Sequence, residues 1–162
     1  MDRAQPLVGI VERAIDELRT AFGAYTGQVV SGSRTPAYRE VLTGEGITSL
    51  TTRVMVAPVV EHIGYHDYIH DETFTLLVVR MNDRVGEHAP ELLNLMRHHG
   101  SRRGIVTDGF TWILAGNGRV RSVADIRPFY VATLDRMTFG GTTYIPRGEL
   151  YWLVDRFGRD RD

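Results

Sequence analysis

The sequence predicts an α/β domain in which helices flank a mixed β-sheet. An amphipathic helix opens the chain, an unbroken apolar strand follows further on, and a compact hairpin signal comes later still. At 162 residues, with 43% hydrophobic and 24% charged residues, the chain has the composition of a single globular domain spanning 1–162. Residues 6–22 place Leu7, Val11, Ala14, Ile15, Leu18, Ala21 and Phe22 at intervals of three and four, the spacing of a helix with one apolar face. A Gly-rich passage follows, and Thr35-Pro36 supplies a cap and first-turn proline for a short helix over 35–42. Ile47, Leu50, Val54, Ala57, Val60 and Ile63 predict another helix that Gly64 stops, with Pro58 bending or breaking it near Val56.

Residues 65–82 turn to β-formers, and Asp71-Glu72 between them predicts a hairpin or pair of strands. The run Leu76, Leu77, Val78, Val79 has no polar alternation, so it is expected at the centre of the sheet, covered on both faces. Pro90 and Gly100 bracket a helix whose Arg97, His98 and His99 suit its negative end. Ile105 to Thr107, then Asp108-Gly109, then Phe110 to Ala115 reads as a hairpin. Gly116-Asn117-Gly118 turns the chain again into 119–123, giving a three-stranded meander. Beyond Pro128 the pattern weakens until Pro146 and the apolar positions Leu150, Tyr151, Leu153, Val154 and Phe157 predict a closing helix.

Composition excludes several chemistries. There is no Cys, hence no disulfide, thiolate nucleophile or Cys-rich zinc site. All nineteen basic residues are Arg, which removes Schiff-base and phosphate-loop lysine mechanisms. The formal net charge of −1 gives no global positive field, so any polyanion must be held by a local patch. No long apolar run exists, so no membrane association is expected and the location is read as cytoplasmic. Dinucleotide, nucleophile-elbow and zinc-protease motifs do not occur.

Two candidate groups emerge from the residues themselves. Arg97, Arg102, Arg103, Arg119 and Arg121 are candidates for a basic, nucleic-acid-binding face, with Tyr130, Tyr144, Tyr151 and Trp152 as possible stacking surfaces. His62, His66 and His70, spaced by four among Asp67, Asp71 and Glu72, suggest a metal site or a polar helix-to-strand turn. His98-His99 reads as a charge pair at a helix end, and the turn geometry alone accounts for Asp108-Gly109.

VMVAPVVEHIGY at 54–65 and RGIVTDGFTWIL at 103–114 resemble the opening helix and closing hairpin of the restriction-endonuclease-like domain of type I restriction enzyme R subunits and their small relatives. The likeness covers roughly residues 47–115 and implies a restriction-endonuclease-like core. In that family a helix acid, an Asp opening the central hairpin and a Glu-x-Lys on the next strand hold Mg²⁺ or Mn²⁺ and activate water. Carried onto this chain, the helix acid falls at Thr48 with Glu45 three residues earlier. Asp71 with Glu72 takes the hairpin position, so these two are the implied metal ligands, and Arg80 stands where the lysine would. The strand offers only apolar side chains where the second ligand belongs. The resemblance therefore implies a catalytically degenerate module without a cofactor, acting on nucleic acid or a protein partner. The alternatives are an active metal-dependent DNA nuclease using Glu45, Asp71, Glu72 and Arg80, and an assembly protein or homo-oligomer reusing the fold.

Overall fold

The computed structural model describes residues 4–31, 49–80, 84–141 and 144–159, with side chains of 21–31 excepted. Helix α1 spans Gln5–Ser31. A π-helical turn, Thr52–Val56, runs into α2, Ala57–His62. Strand β1 (Phe74–Val78) is followed by a 3₁₀ turn (Val85–His88) and α3 (Ala89–His99). Strands β2 (Arg103–Thr107), β3 (Thr111–Gly116) and β4 (Arg119–Asp125) then form the meander. Helices α4 (Arg127–Phe139) and α5 (Gly148–Phe157) close the chain. The expected helix over 35–42 lies outside the described residues, as does Glu45.

The sheet has the order β1-β2-β3-β4, with β1 parallel to β2 and the rest antiparallel. An α/β chain with a mixed sheet is therefore what the sequence builds. The parallel β1–β2 pair needs a crossover, and α3 supplies it. Pleating sorts the side chains. Ile105, Trp112, Leu114 and Ala124 join α1, the π turn, α2, α4 and α5 in the larger core, while Val106, Ile113 and Ala115 meet Leu92 and Met96 of α3 and Val85.

Two expectations about the 65–82 region are corrected. Among the described residues β1 has one strand neighbour, β2, so Leu76 to Val79 lie at the sheet's edge and not at its centre. Helices do stand on both faces: Leu76 and Val78 pack toward the larger core and Leu77 and Val79 toward the smaller. An apolar run records that two-sided cover and says nothing about how many strands flank it. Nor do 65–73 form a second strand. Hydrogen bonds from His70 N–H to Asp67 and from Phe74 N–H to Asp71 carbonyls fold them into turns, and Asp71-Glu72 forms the entry to β1 instead of a hairpin tip.

The local signals hold. Pro58 is the second residue of α2, where its missing N–H is harmless; the register slips just before it, and Ala57 N–H reaches back five residues to the Thr52 carbonyl. Gly64 and Tyr65 N–H groups close α2 on the Glu61 and Val60 carbonyls. Asn117 and Gly118 both have positive φ, +54° and +79°, as a two-residue turn between twisted strands requires. Helix α4, which the sequence left unassigned, buries Phe129 and Thr133 while Val131 and Phe139 face solvent, so its apolar residues trace no stripe.

Gly104 on β2 has no room for a side chain. A Cβ there would stand 2.6 Å from Met96 Sδ and 3.0 Å from Leu92 Cδ1, both on α3. Gly104→Val is expected to lower the unfolding free energy by about 1–3 kcal/mol through overpacking, read as a reduced urea midpoint with unchanged slope. An unchanged midpoint would mean that α3 moves away freely. Among the described residues no helix is long and apolar enough to cross a membrane.

Candidate functional site: an arginine-lined cleft

At the end of the sheet where β1 and β2 begin, Tyr65, Thr73, Arg102, Arg103, Gly116, Asn117, Arg121 and Arg159 line a cleft of about 430 Å³. Four arginines line it, and among the described residues no carboxylate does. Such convergence is costly unless each cation is held or solvated.

Two of the four are held by the fold. Arg103 Nη1 donates to the Tyr65 hydroxyl at 3.0 Å and to the Gly158 carbonyl at 2.8 Å. The Tyr65 hydroxyl in turn donates to the Phe157 carbonyl at 3.1 Å, and its ring stacks on Phe74 at a centroid distance of 4.1 Å. Arg103 is thus tied to the C-terminal segment through a fully buried tyrosine. Arg159 Nη1 pairs with Asp71 Oδ2, and its backbone N–H donates to the Ile63 carbonyl at 2.9 Å.

The other two face solvent. No carboxylate among the described residues pairs with Arg102 or Arg121, both of them exposed. The backbone aims Arg121. The β3–β4 pairing runs Leu114 to Ser122 and then Ala115 to Val120, leaving Arg121 as the extra residue of a β-bulge. Bulges turn a side chain out of the pleat's alternation. Here Arg121 is laid across Gly116, where a Cβ would come within 3.0 Å of its Cδ.

Of the five predicted basic residues, the structure thus gathers Arg102, Arg103 and Arg121. Arg97, exposed on α3 and bonded to Asn94, lies outside the cleft lining, and so does Arg119, at the exposed start of β4. Arg159 was not among the candidates; its role depends on Asp71, 88 residues away, and no local pattern announces it.

Asp71 has a structural occupation. Its Oδ1 accepts the Thr73 backbone N–H at 2.9 Å and the Thr73 hydroxyl at 2.7 Å, and Arg159 takes Oδ2. These Thr73 hydrogen bonds, followed by the Arg159 charge, hold its pKa below the ordinary value of 3.8 against the opposing effect of burial. The sign follows: with the folded pKa below the unfolded one, the stabilisation is complete above 3.8 and disappears as pH falls through the folded value. Asp71→Asn is accordingly expected to weaken the protein at about pH 5 and to shrink the further loss of urea midpoint on going to about pH 3. An acid limb of unchanged depth in the variant would exclude Asp71 as its source.

The remaining candidates disperse. Glu72 is exposed, Arg80 lies beyond the end of β1, and His62, His66 and His70 are exposed and divided by the turn at Gly64. Among the described residues no three of His, Asp and Glu stand close enough to hold a metal ion. With both Asp71 oxygens engaged, the described residues do not fit the divalent-cation site that the family resemblance implies. Asp108 is a buried turn residue: its carboxylate accepts the Phe110 and Thr111 N–H groups at 2.9 and 2.8 Å and pairs with Arg127 at 2.8 Å.

A larger cavity of about 800 Å³ runs along β1 and contains His70, His99, Thr75 and Ser101. There Ser101 Oγ lies 2.6 Å from Thr75 Oγ1 and His70 Nδ1 is 2.9 Å from Asp67 Oδ1, and among the described residues no hydrogen bond joins Ser101 to His70 or His99. Tyr144 and Tyr151 line a separate groove with Arg136 and Arg147, away from the arginine cleft.

No family model matches the chain, and neither the curated proteins nor the solved structures yield a match.

Proposed function

We propose that this protein is a restriction-endonuclease-like module that has lost the cutting chemistry and binds nucleic acid through the arginine-lined cleft, without a metal cofactor. The observation that carries the reading is the meeting of Arg102, Arg103, Arg121 and Arg159 in one cleft with no acid among its described lining residues. Guanidinium groups fit phosphate oxygens in a bidentate way, and two of these already have fixed directions. The loss of cutting is supported by β1, which presents Leu76, Leu77 and Val78 and no carboxylate, and by the full engagement of Asp71.

Affinity for a single-stranded oligonucleotide is expected to fall with salt along a log–log slope of about −2 to −3, the value for three to four released counterions. Electrophoretic shifts or fluorescence polarisation across a salt series measure it. Incubation with single- or double-stranded DNA in Mg²⁺ or Mn²⁺ is expected to leave the DNA intact, and cleavage abolished by Asp71→Ala would restore the nuclease alternative. Absence of binding even at low salt would favour a protein partner, for which exposed Val123 and Trp152 beside the Pro128–Pro146 groove supply an apolar surface.

A further inference from the structure

We infer that the cleft recognises the phosphorylated end of a nucleic-acid strand, a terminal phosphomonoester, in preference to the phosphodiesters within it. This rests on the nucleic-acid reading of the same cleft and names what that cleft selects.

The first ground is shape. Among the described residues five separate segments wall the cleft: Tyr65, Thr73 before β1, Arg102 and Arg103 at β2, the β3–β4 turn with Arg121, and Arg159 after α5. Its volume of about 430 Å³ is that of a small-molecule pocket and accommodates roughly one nucleotide. A duplex presents its phosphates as a regularly spaced external row, which calls for a stripe of cations along a surface. Arg97 and Arg119 lie outside the lining of this cleft.

The second ground is charge. An internal phosphodiester brings one negative charge and two free oxygens. A terminal phosphomonoester brings nearly two charges at neutral pH and three free oxygens. Against it stand Arg102 and Arg121, exposed and paired with no carboxylate among the described residues, beside the already engaged Arg103 and Arg159, so two guanidinium groups are free to meet a charge of nearly two where a single phosphodiester brings one.

The third ground is preorganisation. Arg103 is fixed by Tyr65 and Gly158, and Arg159 by Asp71, which Thr73 itself anchors. These groups keep their places without a ligand, so little conformational entropy is lost when a phosphate arrives. Arg102 and bulge-directed Arg121 then close on the remaining oxygens from the solvent side.

The test compares single-stranded oligonucleotides of one sequence carrying 5′-phosphate or 5′-hydroxyl, and 3′-phosphate or 3′-hydroxyl, each labelled at the opposite end, by fluorescence polarisation with the full chain. At least one phosphorylated end is expected to bind about tenfold more tightly than its hydroxyl counterpart. That advantage is expected to disappear in Arg121→Ala and, independently, in Arg102→Ala, with unchanged melting temperatures confirming the fold. Equal affinity for phosphorylated and hydroxyl ends, with a steep salt dependence, would overturn end recognition while leaving nucleic-acid binding intact. No binding of any oligonucleotide at low salt would overturn both. A nucleoside monophosphate that binds as tightly as the phosphorylated oligonucleotide would replace the strand end with a free small molecule and also overturn the inference.

Discussion

Trp112→Ala is expected to lower the unfolding free energy by about 3–5 kcal/mol and the melting temperature by roughly 6–20 °C, the largest effect of any single substitution considered. Trp112 is fully buried on β3, between Thr107 of β2 and Ala124 of β4, on the face that meets the larger core. Its indole N–H donates to the Gly109 carbonyl at 3.2 Å, inside the turn that joins β2 to β3. Truncation therefore opens a cavity and removes a hydrogen bond that closes the hairpin. Chemical denaturation of the two proteins measures the difference, with Trp112→Phe expected to fall between them because it restores most of the volume but not the donor. A loss below about 1 kcal/mol would mean that the surrounding helices collapse into the space, contrary to a core fixed from both sides.

The largest functional effect is expected from the double variant Arg102→Ala with Arg121→Ala. Both side chains are exposed and pair with no carboxylate among the described residues, so the melting temperature is expected to change little. Oligonucleotide affinity is expected to fall about 100-fold. That figure takes each charge-assisted phosphate contact at about tenfold, toward the lower limit for a charged hydrogen bond because the sites are wet. The salt slope should become shallower by about 1.4, as two single-strand phosphate contacts disappear. Titration of wild type and variant at two salt concentrations separates the outcomes. A parallel fall in affinity without a change in slope would place the phosphate contacts elsewhere. Arg103→Ala makes an instructive contrast, since it also unties Tyr65 from Gly158 and is expected to cost stability as well as binding.

What the sequence revealed was whatever local chemistry encodes. Pro58 marks the slip in helical register, Gly64 and Gly100 end α2 and α3, and Asp108-Gly109 and Asn117-Gly118 sit at their turns because only a few residue types accept those backbone angles. Strand neighbours are a different kind of information. Leu76 to Val79 looks alike whether one strand or two lie alongside, and the choice is made by chain segments far away in sequence. Helix α4 was hidden for a third reason: its apolar residues serve both core and surface and so have no common phase. The candidate site was half legible. Composition singled out the arginines, but the choice of Arg102, Arg103 and Arg121 over Arg97 and Arg119 depends on strand ends and on a bulge that no spacing announces. Asp71 stood out as a carboxylate at a turn, and its partner Arg159 became visible only when the chain's end returned to Gly64.

The π-helical turn before Pro58 has a consequence for how the chain tolerates changes in length. A π turn holds one residue more than an α-helical turn over the same stretch, so deleting a single residue within Thr52–Val56 would let the helix run on in ordinary register. The helical residues 49–51 on its N-terminal side would then be rotated by about 100° about the axis relative to α2. Thr51, now buried over Gly109 where a Cβ would stand 2.4 Å from its methyl group, would swing off the β2–β3 turn. In this helix a shorter chain would make a more regular helix and a worse fit, because the extra residue sets the phase between α2 and the turn that carries Thr51.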